Sequence, residues 1–209
     1  KYAFRKYKIK TVENKHTHLV PEELEQLERL SLTGKHMKLQ KSLDAFLFCC
    51  YAGMRYSDFT NLSKKNIVDI NQETWLIYKS VKTGTEVRLP LYLLFAGKGI
   101  VILNKYRNNL EDFFRLRDNS NINKDLIIIA KLAGLSKKIS FHTARHTNAT
   151  LLIYNGVNIT TVQKLLGHKS VKTTQVYTNI MDMTIVHDLE KMKQAALGIK
   201  KKTDNSFNK

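Results

Sequence analysis

Apolar residues recur at three- and four-residue intervals over most of this chain, and at two-residue intervals in one stretch only. Leu24, Leu27 and Leu30 mark one face of a helix that Pro21 can start and that runs to about Ser31. Leu39, Leu43, Phe46, Leu47 and Cys50 form the stripe of a second helix, from about Met37 to Ala52, which Gly53 can end. Ser57 suits the N-cap of a short third helix, with Asp58 in its first turn. The period then changes. Residues 67–70, 74–78 and 86–89 are short β-branched or aromatic runs separated by N-Q-E and K-T-G-T. They predict a small three-stranded antiparallel sheet that Pro90 closes, with Lys79 ending the middle strand and Lys82 in the turn.

Helical spacing returns from Leu91 to Leu116, weakened by Gly97 and Gly99. N-S-N-I-N from Asn119 reads as a turn, followed by a helix from about Asn123 to Ala133 that Gly134 stops. Four more helices are expected: His142 to Asn155, capped by Ser140 and closed by Gly156; Ile159 to Leu166; Ser170 to Asn179; and about Met181 to Leu197. The last carries Ile185, Val186, Leu189, Met192 and Ala196 on its apolar side. The pattern as a whole predicts an α+β chain, mainly α-helical, with one small sheet. Residues 1–18 read as a basic linker or arm, 19–198 as one domain including the helix at 181–197, and 199–209 as a disordered polar tail.

Composition adds a partner. Apolar residues make up 43% of the 209, enough for a core, yet 35 Lys and Arg face 18 Asp and Glu, a formal charge of +17. Such an excess points to a polyanion, nucleic acid before an anionic membrane surface. No apolar run approaches the roughly 20 residues that span a bilayer, so no membrane role is expected. The basic start, K-Y-A-F-R-K-Y-K-I-K, has no apolar block behind it and does not read as a secretory signal. Cys49 and Cys50 are adjacent, which excludes a disulfide framework and fits buried thiols in a reducing compartment. The expected location is the bacterial cytoplasm, at the nucleoid.

Candidate chemistry concentrates between Ser140 and Tyr177. His142 and Arg145 stand three apart at a helix start, where unpaired N–H groups and the helix dipole favour an anion. Arg can hold two phosphate oxygens in one planar fork. His168 follows Gly167, and Tyr177 follows nine residues later. Cations, a histidine and a phenol together suit attack on a phosphate. The pair His142 and His146 has a metal-ligand spacing, but Thr143 stands where a zinc peptidase needs Glu, so no metal site is read there. His146 is expected to pack or hydrogen-bond locally.

These pieces resemble the catalytic domain of the tyrosine recombinases, the phage-type integrases. The resemblance rests on G-M-R ending at Arg55, K-T-G starting at Lys82, H-T-A-R from His142 to Arg145, G-H at Gly167 and His168, and Tyr177. All five occur in the family's order, with the sheet between the first and third, over residues from about 20 to 198. The G-M-R-Y-S-D and K-T-G forms are most similar to integrases of transposons and conjugative elements.

The resemblance implies the family's catalytic-domain fold and a site-specific recombinase that cuts and rejoins DNA through a 3′-phosphotyrosyl link. It implies Tyr177 as nucleophile, Arg55 and Arg145 on the non-bridging oxygens, and Lys82 as the acid for the leaving 5′-oxygen. His142 then assists proton transfer, His168 bonds the phosphate, and Asp58 braces the arginines. The covalent intermediate stores the bond energy, so no nucleotide or metal cofactor is expected; the chain has no G-x-x-x-x-G-K-[ST] loop. Expected partners are double-stranded attachment-site DNA, further copies of the chain (dimer to tetramer on DNA), and N-terminal DNA-binding domains that the chain lacks. Two alternatives stay open: a type IB topoisomerase, and a DNA-binding protein without catalysis.

Overall fold

The computed structural model describes residues 17–177 and Lys193. Apart from Lys193, which is helical, the helix expected over 181–197 lies outside the described residues, as do most of the basic arm and the polar tail. The chain enters at Leu19, fully buried, whose N–H donates to the Thr147 hydroxyl at 2.9 Å. Helix α1, Pro21–Glu28, starts on its proline and buries Leu24 and Leu27. It ends three residues short of Ser31.

Helix α2, Gln40–Ala52, is the axis of the molecule, and a 3-10 segment, Gly34–Leu39, leads into it. The sequence stripe understates its burial, because every residue from Ser42 to Ala52 is buried. It packs against α4 (Lys98–Lys105), α6 (Asn119–Leu132) and α7 (Phe141–Tyr154), so no side of its C-terminal half faces water. Each fully buried Leu or Phe there contributes about 1.5–3 kcal/mol. Cys49 and Cys50 are free and buried, and burial pushes both thiols well above their usual range.

Gly53 closes α2 in the left-handed region at φ 67°. A Cβ at Gly53 would lie 2.6 Å from Asn148 Oδ1, so both conformation and space call for glycine. Helix α3, Tyr56–Thr60, follows, capped at Arg55 rather than at Ser57, and Asp58 is in its first turn as expected. Phe59 on α3 meets Phe113 edge-on at 5.3 Å and Phe141 at 6.1 Å. These aromatic contacts fix α3 against α5 (Leu110–Phe114) and the start of α7.

The sheet is three-stranded and antiparallel in the order β1 (Ile67–Ile70), β2 (Glu73–Lys79), β3 (Glu86–Pro90). Asn71 and Gln72 both have positive φ (54° and 67°), the two-residue hairpin form whose twist matches the strands. Leu76 pairs with Leu89 and Tyr78 with Val87, and all four are buried.

Two stretches depart from the sequence reading. Residues 91–116 are not one helix. Phe95, Ala96 and Gly97 are left-handed in succession, α4 starts only at Lys98, and α5 spans Leu110–Phe114. The expected turn at Asn119 is instead the first turn of α6, because the Asp118 side chain accepts from Asn121 N–H at 3.0 Å and caps it. Ser140 precedes α7 as expected, its N–H donating to Thr143 Oγ1 at 3.0 Å. Helix α8 spans Ile159–Leu166, and α9 is Lys172–Gln175; of the expected 170–179, residues 178 and 179 lie outside the described residues.

Candidate active site

Five chain segments converge at the C-terminal end of α2. Arg145, the largest of their side chains to be fully buried, is 1% exposed. Its Nη1 donates to the Gly53 carbonyl at 2.7 Å and its Nη2 to the Leu166 carbonyl at 2.6 Å. The guanidinium thus ties the end of α2 to the end of α8. One turn further along α7, Asn148 donates to the Cys50 and Tyr51 carbonyls at 2.9 and 3.0 Å. Carbonyls at a helix end lack intrahelical partners, and α7 supplies them. Burial, together with the nearby Arg55 charge, lowers the Arg145 pKa to about 10, so it remains cationic at neutral pH.

Arg55 stands where α2 gives way to α3. Its Nη1 lies 3.5 Å from Asp58 Oδ2 and 3.4 Å from Ser80 Oγ. Asp58 is buried and accepts from the Val81 N–H at 2.8 Å and from Ser80 Oγ at 3.3 Å. One carboxylate therefore holds both the arginine and the start of the turn that carries Lys82. Lys82 itself is exposed, as is Lys79, which pairs with Glu86 across the sheet.

His168 follows Gly167, the left-handed residue closing α8. It is 7% exposed, and its Nδ1 is 2.9 Å from Thr174 Oγ1. Burial, then the charges of Arg145 and Arg55, lowers its pKa to about 4, which keeps the ring neutral near pH 7. If Thr174 donates to Nδ1, Nε2 carries the proton and can donate to an anion.

Tyr177 is 4% exposed, with its ring parallel to that of His168 at a centroid separation of 6.5 Å and an angle of 3°. Burial raises its pKa, and the charges of Arg145 and Arg55 oppose that rise. The His146 ring lies 5.4 Å from Tyr177, and the His142 ring lies edge-on to His146 at 4.4 Å.

The structure thus gathers Arg55, Asp58, Arg145, His168 and Tyr177. His142 and Arg145 do not share an exposed face: His142 is exposed, whereas Arg145 turns inward. The expected local packing of His146 is observed, and Tyr177, which no local pattern points to, is among its contacts. Sequence reasoning missed Ser80, Thr83 and Tyr78. Ser80 and Thr83 carried a faint signal as hydroxyl residues flanking the lysine turn. Tyr78 carried none; its buried hydroxyl has no hydrogen-bond partner among the described residues, and burial raises its pKa. Among the described residues, no group of three or more His, Cys, Asp or Glu is arranged to hold a metal ion, and no helix is long and apolar enough to cross a membrane.

Comparison with known proteins places the chain in a family. Residues 18–183 match the model of the phage integrase family. A tyrosine recombinase of Pseudothermotoga lettingae is 30% identical over 84% of this chain and 60% of its own length. Tyrosine recombinase XerC of Rickettsia prowazekii is 29% identical over 84% of this chain and 58% of its own. This chain therefore spans about 60% of the length of these curated relatives. The XerH recombinase in its post-cleavage complex with palindromic difH superposes with a TM-score of 0.64, at 22% identity, over 87% of this chain and 53% of that one. The chain belongs to the phage integrase family of tyrosine recombinases.

Proposed function

We propose that this chain is a site-specific DNA recombinase of a mobile element, with Tyr177 as its nucleophile. The carrying observation is the placement of the Tyr177 phenol beside the neutral His168 ring and within the field of Arg145 and Arg55. A phenol so buried is a poor nucleophile until a base accepts its proton and cations stabilise the phenolate.

In the first step Tyr177 Oη attacks a DNA phosphorus, forming the O–P bond while the bond to the 5′-oxygen breaks. The phenol proton leaves toward His142, and the Lys82 ammonium protonates the departing 5′-oxygen. Two of the five Arg145 N–H groups serve the Gly53 and Leu166 carbonyls, and the others face the Tyr177 hydroxyl and the non-bridging oxygens. Because those carbonyls hold the fork in place beforehand, little reorganisation is needed when charge develops on the phosphate. Arg55 adds a second cation, kept in place by Asp58. His168 donates from Nε2. Rejoining is the reverse, with a 5′-hydroxyl attacking the phosphotyrosyl link.

The charge of +17 supports double-stranded DNA as substrate. The XerH site-specific recombinase, bound to its palindromic difH substrate in a post-cleavage complex, supports the same reading. We place residues 19–198 in one catalytic domain, acting as a dimer to tetramer on DNA in the bacterial cytoplasm, without metal or nucleotide. The test is to incubate the chain with nicked duplexes of randomised core sequence, recover protein–DNA adducts under denaturing conditions and map the linkage. A nucleotide on Tyr177 supports the assignment. A linkage at another residue, or release of strands with free 3′ ends, overturns it.

A further inference from the structure

The turn that carries Lys82 is tied at both ends. Within the turn, Ser80 N–H donates to the Thr85 carbonyl at 2.9 Å and Gly84 N–H to the Ser80 carbonyl at 2.8 Å. On one side of Lys82, the Val81 N–H donates to Asp58 at 2.8 Å. On the other, the Thr83 hydroxyl donates to the Gly167 carbonyl at 3.1 Å, across 84 residues of sequence. Gly167 is itself packed hard against the sheet, since a Cβ there would lie 2.6 Å from Val87 Cγ2. The lysine is thus suspended between the carboxylate that holds Arg55 and the carbonyl that precedes His168.

A freely jointed four-carbon side chain places its ammonium poorly, and its precision depends on the backbone beneath it. The internal bonds hold the turn's shape, and Asp58 ties one side of it to α3. The Thr83 bond ties the other side and couples the turn to the His168 segment.

We propose that Thr83 is a positioning residue for Lys82, its hydroxyl holding the lysine turn against Gly167. This rests on the recombinase reading given above, and specifically on Lys82 as the acid for the leaving 5′-oxygen. Thr83 touches no reacting atom, so its effect must pass through Lys82.

The experiment compares the wild-type chain with Thr83→Val, Thr83→Ser and Lys82→Ala. Single-turnover cleavage is followed on a captured nicked duplex and on the same duplex with sulfur at the bridging 5′ position. Sulfur departs without a proton, so a misplaced acid no longer matters. Thr83→Val keeps the shape of the side chain and should slow the oxygen substrate roughly three- to tenfold, the rate equivalent of one hydrogen bond. It should cleave the sulfur substrate at the wild-type rate, and Thr83→Ser should match wild type on both. Three results overturn the proposal: no loss for Thr83→Val on oxygen, an equal loss on both substrates, or a Thr83→Ser as slow as Thr83→Val. Lys82→Ala separates the two levels. If sulfur does not rescue it, the acid assignment fails and Thr83 falls with it. If sulfur rescues it while Thr83→Val behaves as wild type, only the Thr83 proposal is lost.

Discussion

The Arg145 guanidinium donates to the Gly53 carbonyl at 2.7 Å, joining residues 92 positions apart. This contact makes the left-handed turn after α2 part of the site. Gly53→Ala should therefore cost both stability and activity. A non-glycine residue in the left-handed region costs about 1–3 kcal/mol, and the new Cβ would push on Asn148 and Leu166. Denaturant unfolding should show a loss of that size. Covalent capture at saturating protein, measured well below the melting temperature, should also slow. A stable but normally active variant would mean that Arg145 does not depend on this turn.

Arg145→Lys should cut the saturated cleavage rate by about 10²–10³, as loss of a preorganised donor does. An ammonium cannot reach two carbonyls on different elements and still present a fork to phosphate. Single-turnover kinetics separate this from weaker binding. An unchanged rate with weaker affinity would make Arg145 an ordinary phosphate contact.

Asp58→Asn should lower the cleavage rate more than the affinity for DNA. The amide keeps one oxygen for the Val81 N–H but loses the charge facing Arg55 at 3.5 Å. Affinity from gel shifts and rate from single turnovers provide the check. Equal effects on the two would argue against a bracing role.

Stability should fall in acid partly through His168. Its folded pKa is depressed from 6.5 to about 4. Between those values the unfolded chain binds the extra proton, so stability is complete above pH 6.5 and declines as pH drops toward 4. Thermal melts across that window should show the decline, and His168→Gln should flatten part of it. A steeper decline in the variant would contradict a neutral, buried imidazole.

The local signals in the sequence were good guides where one face of an element meets the core. All three strands lie within one residue of their expected bounds, because alternation and the N-Q and K-T-G-T turns mark them directly. The expected site residues also fall together, apart from the outward His142 and Lys82. What stayed hidden was set by tertiary contact. The left-handed run from Phe95 to Gly97 coincides with Phe95 packing on Tyr51 at 5.7 Å, which no local pattern encodes. The start of α6 is not legible locally, because Asn and Ser serve a turn and a capped first helical turn alike. The inward direction of Arg145 follows from carbonyls on α2 and α8, distant in sequence and invisible from H-x-x-R alone.

The central claim is that the Tyr177 hydroxyl becomes joined to DNA. Tyr177→Phe removes one oxygen from a side chain whose ring packs beside His168 and His146, so folding and DNA binding should survive. Wild type and variant are each incubated with the captured nicked duplex and run on a denaturing gel. Wild type should give a protease-sensitive band of retarded DNA, and Tyr177→Phe should give none while still shifting the duplex on a native gel. A retarded band of equal intensity from Tyr177→Phe would contradict the account.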